Sequence, residues 1–169
     1  MSKKNKKKIV FITGTRADYG KIKSLIFAVD KSKSYEPFIF VTGMHLQRKY
    51  GYTISEIKND FKNIKLLKLK NYKKKNTMDL TLALTINLIN KNLKTINPDL
   101  VIIHGDRVET LAAAICCNLN NILITHIEGG EVSGTVDESL RHSTSKLSHI
   151  HFVSNKKAHR ILRLLGEEK

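Results

Sequence analysis

The sequence predicts an α/β fold in which a parallel β-sheet is sandwiched between helices. Short apolar runs rich in β-branched residues alternate along the chain with segments of helical spacing. The runs are apolar on both faces, as expected for strands that are buried within a parallel sheet. The 169 residues are enough for one domain with a substantial core, and the sequence contains no internal repeat or linker-like segment.

The first part of the chain predicts three strands separated by two helices. Residues 8–13 (KIVFIT) contain an uninterrupted apolar run at 9–12, which is typical of a buried strand. Residues 19–31 carry isoleucine, leucine and valine side chains at helical spacing. A second strand over 37–42, a short helix over 53–59 and a third strand over 63–69 follow.

The second part predicts a long helix and then three further strand–helix pairs. The long helix covers 78–96 and ends before Asn97-Pro98, because proline cannot continue a helix. The remaining strands are predicted at 99–104, 121–127 and 150–154, and the remaining helices at 108–118, 138–147 and 156–165.

The chain is strongly basic, with a formal net charge of +15. Much of this charge lies in two lysine runs, Ser2–Lys8 and Lys62–Lys75. Such runs fit either a nucleic-acid or membrane patch or a solvated surface. No aromatic residues interleave with the lysines at stacking spacing and no nucleic-acid motif is present, so the sequence favours a solvated surface and predicts neither a nucleic-acid nor a membrane partner.

Composition also bears on compartment and on metal binding. No apolar run approaches the roughly 20 residues that span a bilayer. The basic N-terminus leads into an apolar run that ends at a glycine turn, which indicates a first strand rather than a signal peptide and predicts a cytoplasmic protein. The adjacent Cys116 and Cys117 are predicted to be buried and apolar, and no metal cluster is predicted.

Polar residues follow four of the predicted strands. Ligands of parallel α/β sheets bind at the carboxyl ends of the strands, so these residues are expected to meet at one edge. The four segments are Gly14–Arg16, Gly43–His45, His104–Arg107 and His126–Gly130.

The segment after the first strand is a candidate anion site. A glycine lets the backbone approach an anion, the helix N-terminus supplies N–H groups, and Arg16 and Lys21 add positive charge. The segment lacks both the GxGxxG and the GxxxxGK[ST] patterns, so it is neither a dinucleotide fingerprint nor a P-loop. An ordinary strand–helix turn with a surface arginine is the alternative.

The acidic candidates each have a structural alternative. Asp106 is either part of the site or the N-cap of the next helix. His126 and Glu128 are two apart on a strand and are expected to share a face, as an acid–base pair or as a structural pair. Thr135 and Glu138 match a capping box, which leaves Asp137 free to face the site. The histidines that flank the sixth strand, His149 and His151, are interpreted as structural.

Several motifs together resemble the hydrolysing UDP-N-acetylglucosamine 2-epimerases over nearly the whole chain. The longest one, residues 125–152, is much more specific than any short signature. The motifs are GTRADYGK, VTGMHL, HGDRVETLAAA and THIEGGEVSGTVDESLRHSTSKLSHIHF.

The resemblance implies an architecture and a reaction. It implies two Rossmann-like domains in the GT-B arrangement, of which residues 1–169 resemble the N-terminal one, and a homodimer. UDP-N-acetylglucosamine would lose UDP by elimination, and hydration with inversion at C2 would yield N-acetylmannosamine for sialic-acid and surface-glycan synthesis. It implies no redox cofactor. The alternatives are a UDP-2,4-diacetamido sugar as substrate, a catalytically inactive UDP-sugar binding domain, and a nucleic-acid binder.

The resemblance also assigns roles to individual residues. Its catalytic carboxylates fall on Asp106, Glu128 and Asp137, the last by alignment through Arg141. The other family positions, expected to bind substrate, are Arg16, Lys21, His45, His104, Arg107, His126 and Arg141. The family's second domain supplies most uridine contacts and a catalytic histidine, so the 169-residue chain alone is expected to fold but to have little or no turnover.

Overall fold

A computed structural model describes residues 6–72 and 76–168 and contains one six-stranded parallel sheet. The strand order is β3-β2-β1-β4-β5-β6, so the chain builds one half of the sheet outward from β1, crosses over, and builds the other half outward from β4. This is the strand order of the doubly wound nucleotide-binding folds. The strands are β1 (Lys7–Thr13), β2 (Tyr35–Val41), β3 (Lys65–Lys68), β4 (Leu100–His104), β5 (Leu123–Ile127) and β6 (Ile150–Phe152).

Within the described ranges, six α-helices connect and cover these strands. The predicted alternation of strands and helices is confirmed, and the long third helix has the predicted bounds. The helices are α1 (Arg16–Asp30), α2 (Ile54–Asp60), α3 (Met78–Ile96), α4 (Val108–Leu119), α5 (Val136–Lys146) and α6 (Lys156–Leu164). Two short 3₁₀ turns, Gly43–Leu46 and Arg48–Tyr50, were not predicted and follow β2.

The first helix begins three residues earlier than its hydrophobic spacing predicts. Thr15 is the N-cap, and its side chain accepts a hydrogen bond from the backbone N–H of Asp18. The Asp18 carboxylate accepts from the Thr15 N–H in return, which completes a capping box. The cap therefore places Arg16 in the first turn of α1 rather than in a loop.

The sheet separates two apolar cores, which confirms that it is covered on both faces. Val10, Val101 and Ile103 face the core formed with α3 and α4. Phe11 and Ile39 face the other core, formed with α1 and α2. Burial of alternate strand residues on opposite faces accounts for the continuous apolar runs of the sequence.

The two cysteines lie in an apolar core, as predicted. Cys116 and Cys117 are free and buried in α4, and burial raises the pKa of the Cys116 thiol to about 11. Residues 2–5 and 73–75 of the two lysine runs lie outside the described residues. Among the helices of the described ranges, none is both long and apolar enough to cross a bilayer.

Candidate functional site

The carboxyl ends of β1, β2, β4 and β5 meet at one edge of the sheet. Backbone hydrogen bonds join these ends directly: Thr42 N donates to Thr13 O at 3.0 Å, and Gly105 N donates to Ile127 O at 3.0 Å. The segments that the sequence singled out therefore lie side by side, as expected for loops that follow parallel strands.

Four charged or polar side chains form a continuous chain of contacts at this edge. Lys21 Nζ lies 2.9 Å from Glu128 Oε1, and the other oxygen of Glu128 lies 3.1 Å from His104 Nε2. The opposite ring nitrogen of His104 lies 3.6 Å from Asp18 Oδ1. Residues from α1, from the end of β4 and from the segment after β5 are thus brought together.

Glu128 is held in an unusual backbone conformation directly after β5. Its φ is +62°, in the left-handed region that non-glycine residues rarely adopt. Partial burial by itself would raise the pKa of Glu128, but the hydrogen bond from Lys21 and the nearby His104 outweigh it and hold the pKa below its ordinary value. The site therefore favours an ionised carboxylate at this position.

His126 and Glu128 do not share a face, so that expectation is wrong. The left-handed residue ends the strand alternation, and Glu128 turns toward α1 while His126 contacts α5. His126 is fully buried, with Nδ1 3.0 Å from Ser145 Oγ and Nε2 2.7 Å from Gly105 O. Burial lowers the pKa of His126 to about 4.

Neither His126 nor His45 is placed to touch a ligand directly. His45 is also fully buried, with its ring nitrogens 3.0 Å from Thr13 Oγ1 and 2.6 Å from Thr53 Oγ1. Burial lowers its pKa as well. Because their ring nitrogens are engaged inside the protein, this geometry favours structural roles over the predicted substrate contacts.

Asp106 forms an ion pair with Arg141 across the same edge. Arg141 is buried and also donates a 2.7 Å hydrogen bond to the carbonyl of Glu131. Asp106 is not the N-cap of α4, because that position belongs to Arg107. The pair anchors the loop before α5 to the end of β4, and the Asp106 carboxylate remains 31% exposed.

Arg107 lies over the turn between β1 and α1. Its Nε is 3.2 Å from Oε2 of Glu109, a buried carboxylate in the first turn of α4 that also accepts from Asn71 Nδ2 at 3.2 Å. A Cβ atom built on Gly14 would lie 3.7 Å from Arg107 Nε. Glu109 thus holds the Arg107 guanidinium beside the predicted anion-binding turn.

Gly43 is required where this network approaches the end of β2. Its φ is +55°, and a Cβ atom there would lie 2.6 Å from Glu109 Oε1 and 2.9 Å from Gly14 O. Only glycine fits both the backbone conformation and the space, so the close approach of the β1, β2 and β4 ends depends on it.

Two predicted site residues are more exposed and less connected. Arg16 is at the edge, but its side chain is 69% exposed and lies 3.3 Å from Glu56. Asp137 is exposed in the first turn of α5, and within the described ranges it takes part in no salt bridge. The structure does not bring either residue into the Lys21–Glu128–His104 cluster.

The capping box predicted at α5 is wrong in detail. Thr135 is the N-cap, but its side chain makes no capping hydrogen bond. Glu138 instead accepts from the N–H groups of Ser133 and Gly134, both at 2.7 Å, and these bonds lower its pKa. Glu138 therefore orders the loop before the helix, as a structural role requires.

The histidines around β6 lie away from this cluster. His149 Nδ1 accepts from Ile124 N at 3.2 Å, and His151 Nε2 lies 3.2 Å from Glu167, in agreement with their structural interpretation. They line a cavity of about 780 Å³ between β6 and α6. A second cavity of about 370 Å³ is lined by Arg107 and Glu109, and neither cavity is lined by Glu128.

Two site residues were missed by the sequence analysis. Asp18 was overlooked because the hydrophobic spacing suggested that α1 begins at residue 19, although Thr15 and Asp18 have the spacing of a capping box. Glu109 was overlooked because an acidic residue in the first turn of a helix is ordinary. Its burial, which no sequence pattern indicates, is what distinguishes it.

The fold, with the Lys21–Glu128–His104 cluster at the carboxyl edge of its sheet, is one Rossmann-like half of the GT-B class of proteins. The family model described as UDP-N-acetylglucosamine 2-epimerase matches residues 28–169, and the chain belongs to this family. A relative from Neisseria meningitidis serogroup B, named UDP-N-acetylglucosamine 2-epimerase, is 44% identical over 96% of the chain and 43% of its own length. A Legionella pneumophila relative, named UDP-N,N'-diacetylbacillosamine 2-epimerase (hydrolyzing), is 39% identical over 96% of the chain and 44% of its own length.

A solved structure agrees with this placement. The UDP-GlcNAc 2-epimerase of Methanocaldococcus jannaschii, in complex with UDP-GlcNAc and UDP, has a TM-score of 0.84 and 26% identity, covering 95% of this chain and 44% of the other. The chain thus spans less than half the length of the relatives that it matches.

Proposed function

We propose that this chain is the N-terminal domain of a hydrolysing UDP-N-acetylglucosamine 2-epimerase. The enzyme converts UDP-N-acetylglucosamine and water to N-acetylmannosamine and UDP. The observation that carries the proposal is the Lys21–Glu128–His104 cluster at the carboxyl edge of the sheet, in a chain of this family. The relative named as hydrolyzing, at 39% identity, supports hydrolysis over simple epimerisation.

The cationic residues suit a pyrophosphate leaving group. In the turn after β1 the N–H groups of Gly14 and Thr15 already donate to Asp18. The positive charge at this turn therefore comes from Arg107, which Glu109 holds against it. Lys21 and Arg16 add exposed positive charge. Donors that are already fixed in position stabilise the charge that develops as UDP leaves.

The carboxylates suit the proton transfers. Elimination removes the proton from C2 and breaks the bond between C1 and the UDP oxygen, which gives a 2-acetamidoglucal and UDP. Addition of water across the double bond places hydroxyl on C1 and a proton on the opposite face of C2. Glu128, Asp106 and Asp137 are the proposed acid and base groups, and an ionised Glu128 can accept a proton.

The isolated 169-residue chain is proposed to fold but to turn over little. It spans 43% of the N. meningitidis relative, and neither the cavity at β6 nor the cavity beside Arg107 and Glu109 is lined by Glu128. An enzyme whose cleft forms between two domains needs both for water exclusion and for orientation of the sugar. A rate from the isolated chain equal to that of a full-length family member would contradict this.

The test is an assay of the full-length protein with UDP-N-acetylglucosamine. Release of UDP together with N-acetylmannosamine supports the proposal. Recovery of UDP-N-acetylmannosamine without free UDP would exclude the hydrolysing reaction, and no reaction would exclude the substrate.

A UDP-2,4-diacetamido sugar is the second candidate substrate. The L. pneumophila relative is named for a diacetylbacillosamine substrate and is 39% identical to the chain. This identity is close to the 44% of the N. meningitidis relative, so the two relatives support the two substrates almost equally. Parallel assays with both sugar nucleotides at equal concentration separate the two, because the preferred substrate has the higher kcat/KM.

A further inference from the structure

Arg107 and Glu109 form an ion pair at the start of α4 in which only one end of the arginine fork is used. Arg107 Nε donates to Glu109 Oε2 at 3.2 Å, and the Glu109 side chain is only 5% exposed. Within the described ranges, Nη1 and Nη2 of Arg107 donate no hydrogen bond, and its side chain is 34% exposed. The outer end of the guanidinium is therefore available to a ligand.

The Glu109 carboxylate is itself fixed by a buried asparagine from the segment after β3. Asn71 Nδ2 donates to Glu109 Oε1 at 3.2 Å and to Thr85 Oγ1 of α3 at 3.0 Å. Asn71 Oδ1 accepts from Gly43 N at 3.1 Å, and both Asn71 and Thr85 are buried. Each oxygen of Glu109 thus accepts a hydrogen bond, one from this network and one from Arg107.

Arg16, the other predicted arginine of the turn after β1, lacks such support. Its Nη2 lies 3.3 Å from Glu56, and the side chains of the pair are 69% and 44% exposed. An exposed ion pair holds its geometry only weakly. Because the pair also uses Nη2, the outer end of the Arg16 fork is occupied. Of the two arginines, Arg107 is the one that the fold orients in advance.

We propose that Glu109 is a positioning residue, which holds Arg107 so that Nη1 and Nη2 bind one phosphate of UDP. The planar guanidinium fork suits two parallel hydrogen bonds to a phosphate. A side chain that is already fixed loses less conformational freedom when the ligand binds. Glu109 acts through Arg107, since a carboxylate does not itself bind a phosphate. The inference rests on the proposed function, which supplies UDP as the ligand.

The test is the dissociation constant of UDP, measured by calorimetry on the full-length enzyme. Glutamine has one acceptor oxygen, so in Glu109→Gln either Arg107 or Asn71 loses its acceptor and the guanidinium is less well fixed. We expect UDP binding to weaken about tenfold, as for the loss of a hydrogen bond with a charged group. Arg107→Met should weaken binding at least as much. Glu109→Gln added to Arg107→Met should change the constant by less than about twofold, because the residue through which Glu109 acts is then absent.

Thr85→Val is the structural control, because it removes an acceptor of Asn71 but leaves the Glu109–Arg107 pair in place. It should lower the urea midpoint of unfolding and change the dissociation constant of UDP by less than about twofold. Equal weakening of UDP binding by Thr85→Val and Glu109→Gln would show general loosening of the fold and would overturn the inference.

Two other results would also overturn it: unchanged affinity in Glu109→Gln, or a weakening by Glu109→Gln that persists in the Arg107→Met background. The comparison of Glu109→Gln with Thr85→Val decides even if Arg107→Met does not fold. Failure of the proposed function is a separate result, because it would appear as a native enzyme that neither binds UDP nor releases it from the sugar nucleotide.

Discussion

Lys21 Nζ lies 2.9 Å from Glu128 Oε1 and so ties the first helix to the segment after the fifth strand. The two residues are 107 positions apart in the sequence. Their contact places a cation suited to phosphate beside a carboxylate suited to proton transfer. In the proposed enzyme a bound pyrophosphate would compete with Glu128 for the lysine, so substrate binding would be coupled to the protonation state of the Glu128 carboxylate.

Lys21→Met is expected to raise the pKa of Glu128. The lysine hydrogen bond is the largest of the contributions that lower this pKa, and without it the effect of burial is less opposed. The carboxyl ¹³C shift of Glu128, followed by NMR against pH, measures the change. Lys23→Met is the control, because Lys23 lies on the same helix but pairs with Asp60 at 2.6 Å. An equal shift in both variants would rule out a specific role for Lys21.

Glu128→Gln is expected to lower kcat of the full-length enzyme by about 10²–10⁴-fold, the range for loss of a general acid or base. The amide keeps the shape of the side chain but cannot exchange the proton. Steady-state release of UDP measures this effect.

Glu131→Gln is the matched control for that substitution. Glu131 lies on the same loop, but its carboxylate accepts from Asn155 at 2.9 Å rather than entering the edge cluster. It should retain most of the turnover. Near-native activity in Glu128→Gln would show that Glu128 does not take part in proton transfer.

The order of strands and helices could be predicted because it depends on local patterns. Apolar runs and helical spacing depend on the residues themselves, and a parallel sheet covered by helices on both faces follows from their alternation. The meeting of Lys21, His104 and Glu128 also follows from topology, because carboxyl ends of neighbouring parallel strands share an edge.

The orientation of individual side chains could not be predicted in the same way. His126 and Glu128 face opposite sides because Glu128 adopts φ +62°, which its residue type does not suggest. His45 and His126 are enclosed by packing from distant segments, and the burial of Glu109 likewise depends on tertiary contacts. The sequence therefore identifies which residues lie at the carboxyl edge of the sheet, but it does not identify which of their side chains are exposed to solvent.

Thr15→Ala should cost about 1 kcal/mol of unfolding free energy, and Thr135→Ala only a few tenths. Both threonines are N-caps, but only the Thr15 side chain accepts a capping hydrogen bond. Urea denaturation of the two variants, compared with the native chain, measures the difference. Equal losses of unfolding free energy in the two variants would show that the capping hydrogen bond of Thr15 does not stabilise the fold.

His126 is expected to make the folded chain less stable as pH falls from about 6.5 toward 4. Its pKa is lowered from 6.5 to about 4 by burial, so the unfolded chain binds the extra proton first within this window and stability rises with pH. The expected loss from His126 between pH 7 and pH 5 is roughly 2 kcal/mol. Over this range the Glu128 carboxylate stays ionised, because its pKa is lowered and its stabilisation is lost only at more acidic pH.

The measurement is urea denaturation at pH 7 and pH 5 for the native chain and for His126→Gln. The glutamine side chain does not titrate, so the difference between the two pH values should shrink by most of that amount. A smaller dependence of the same sign should remain, because burial also lowers the pKa of His45. A variant whose stability falls as steeply as that of the native chain would show that His126 is not the group responsible.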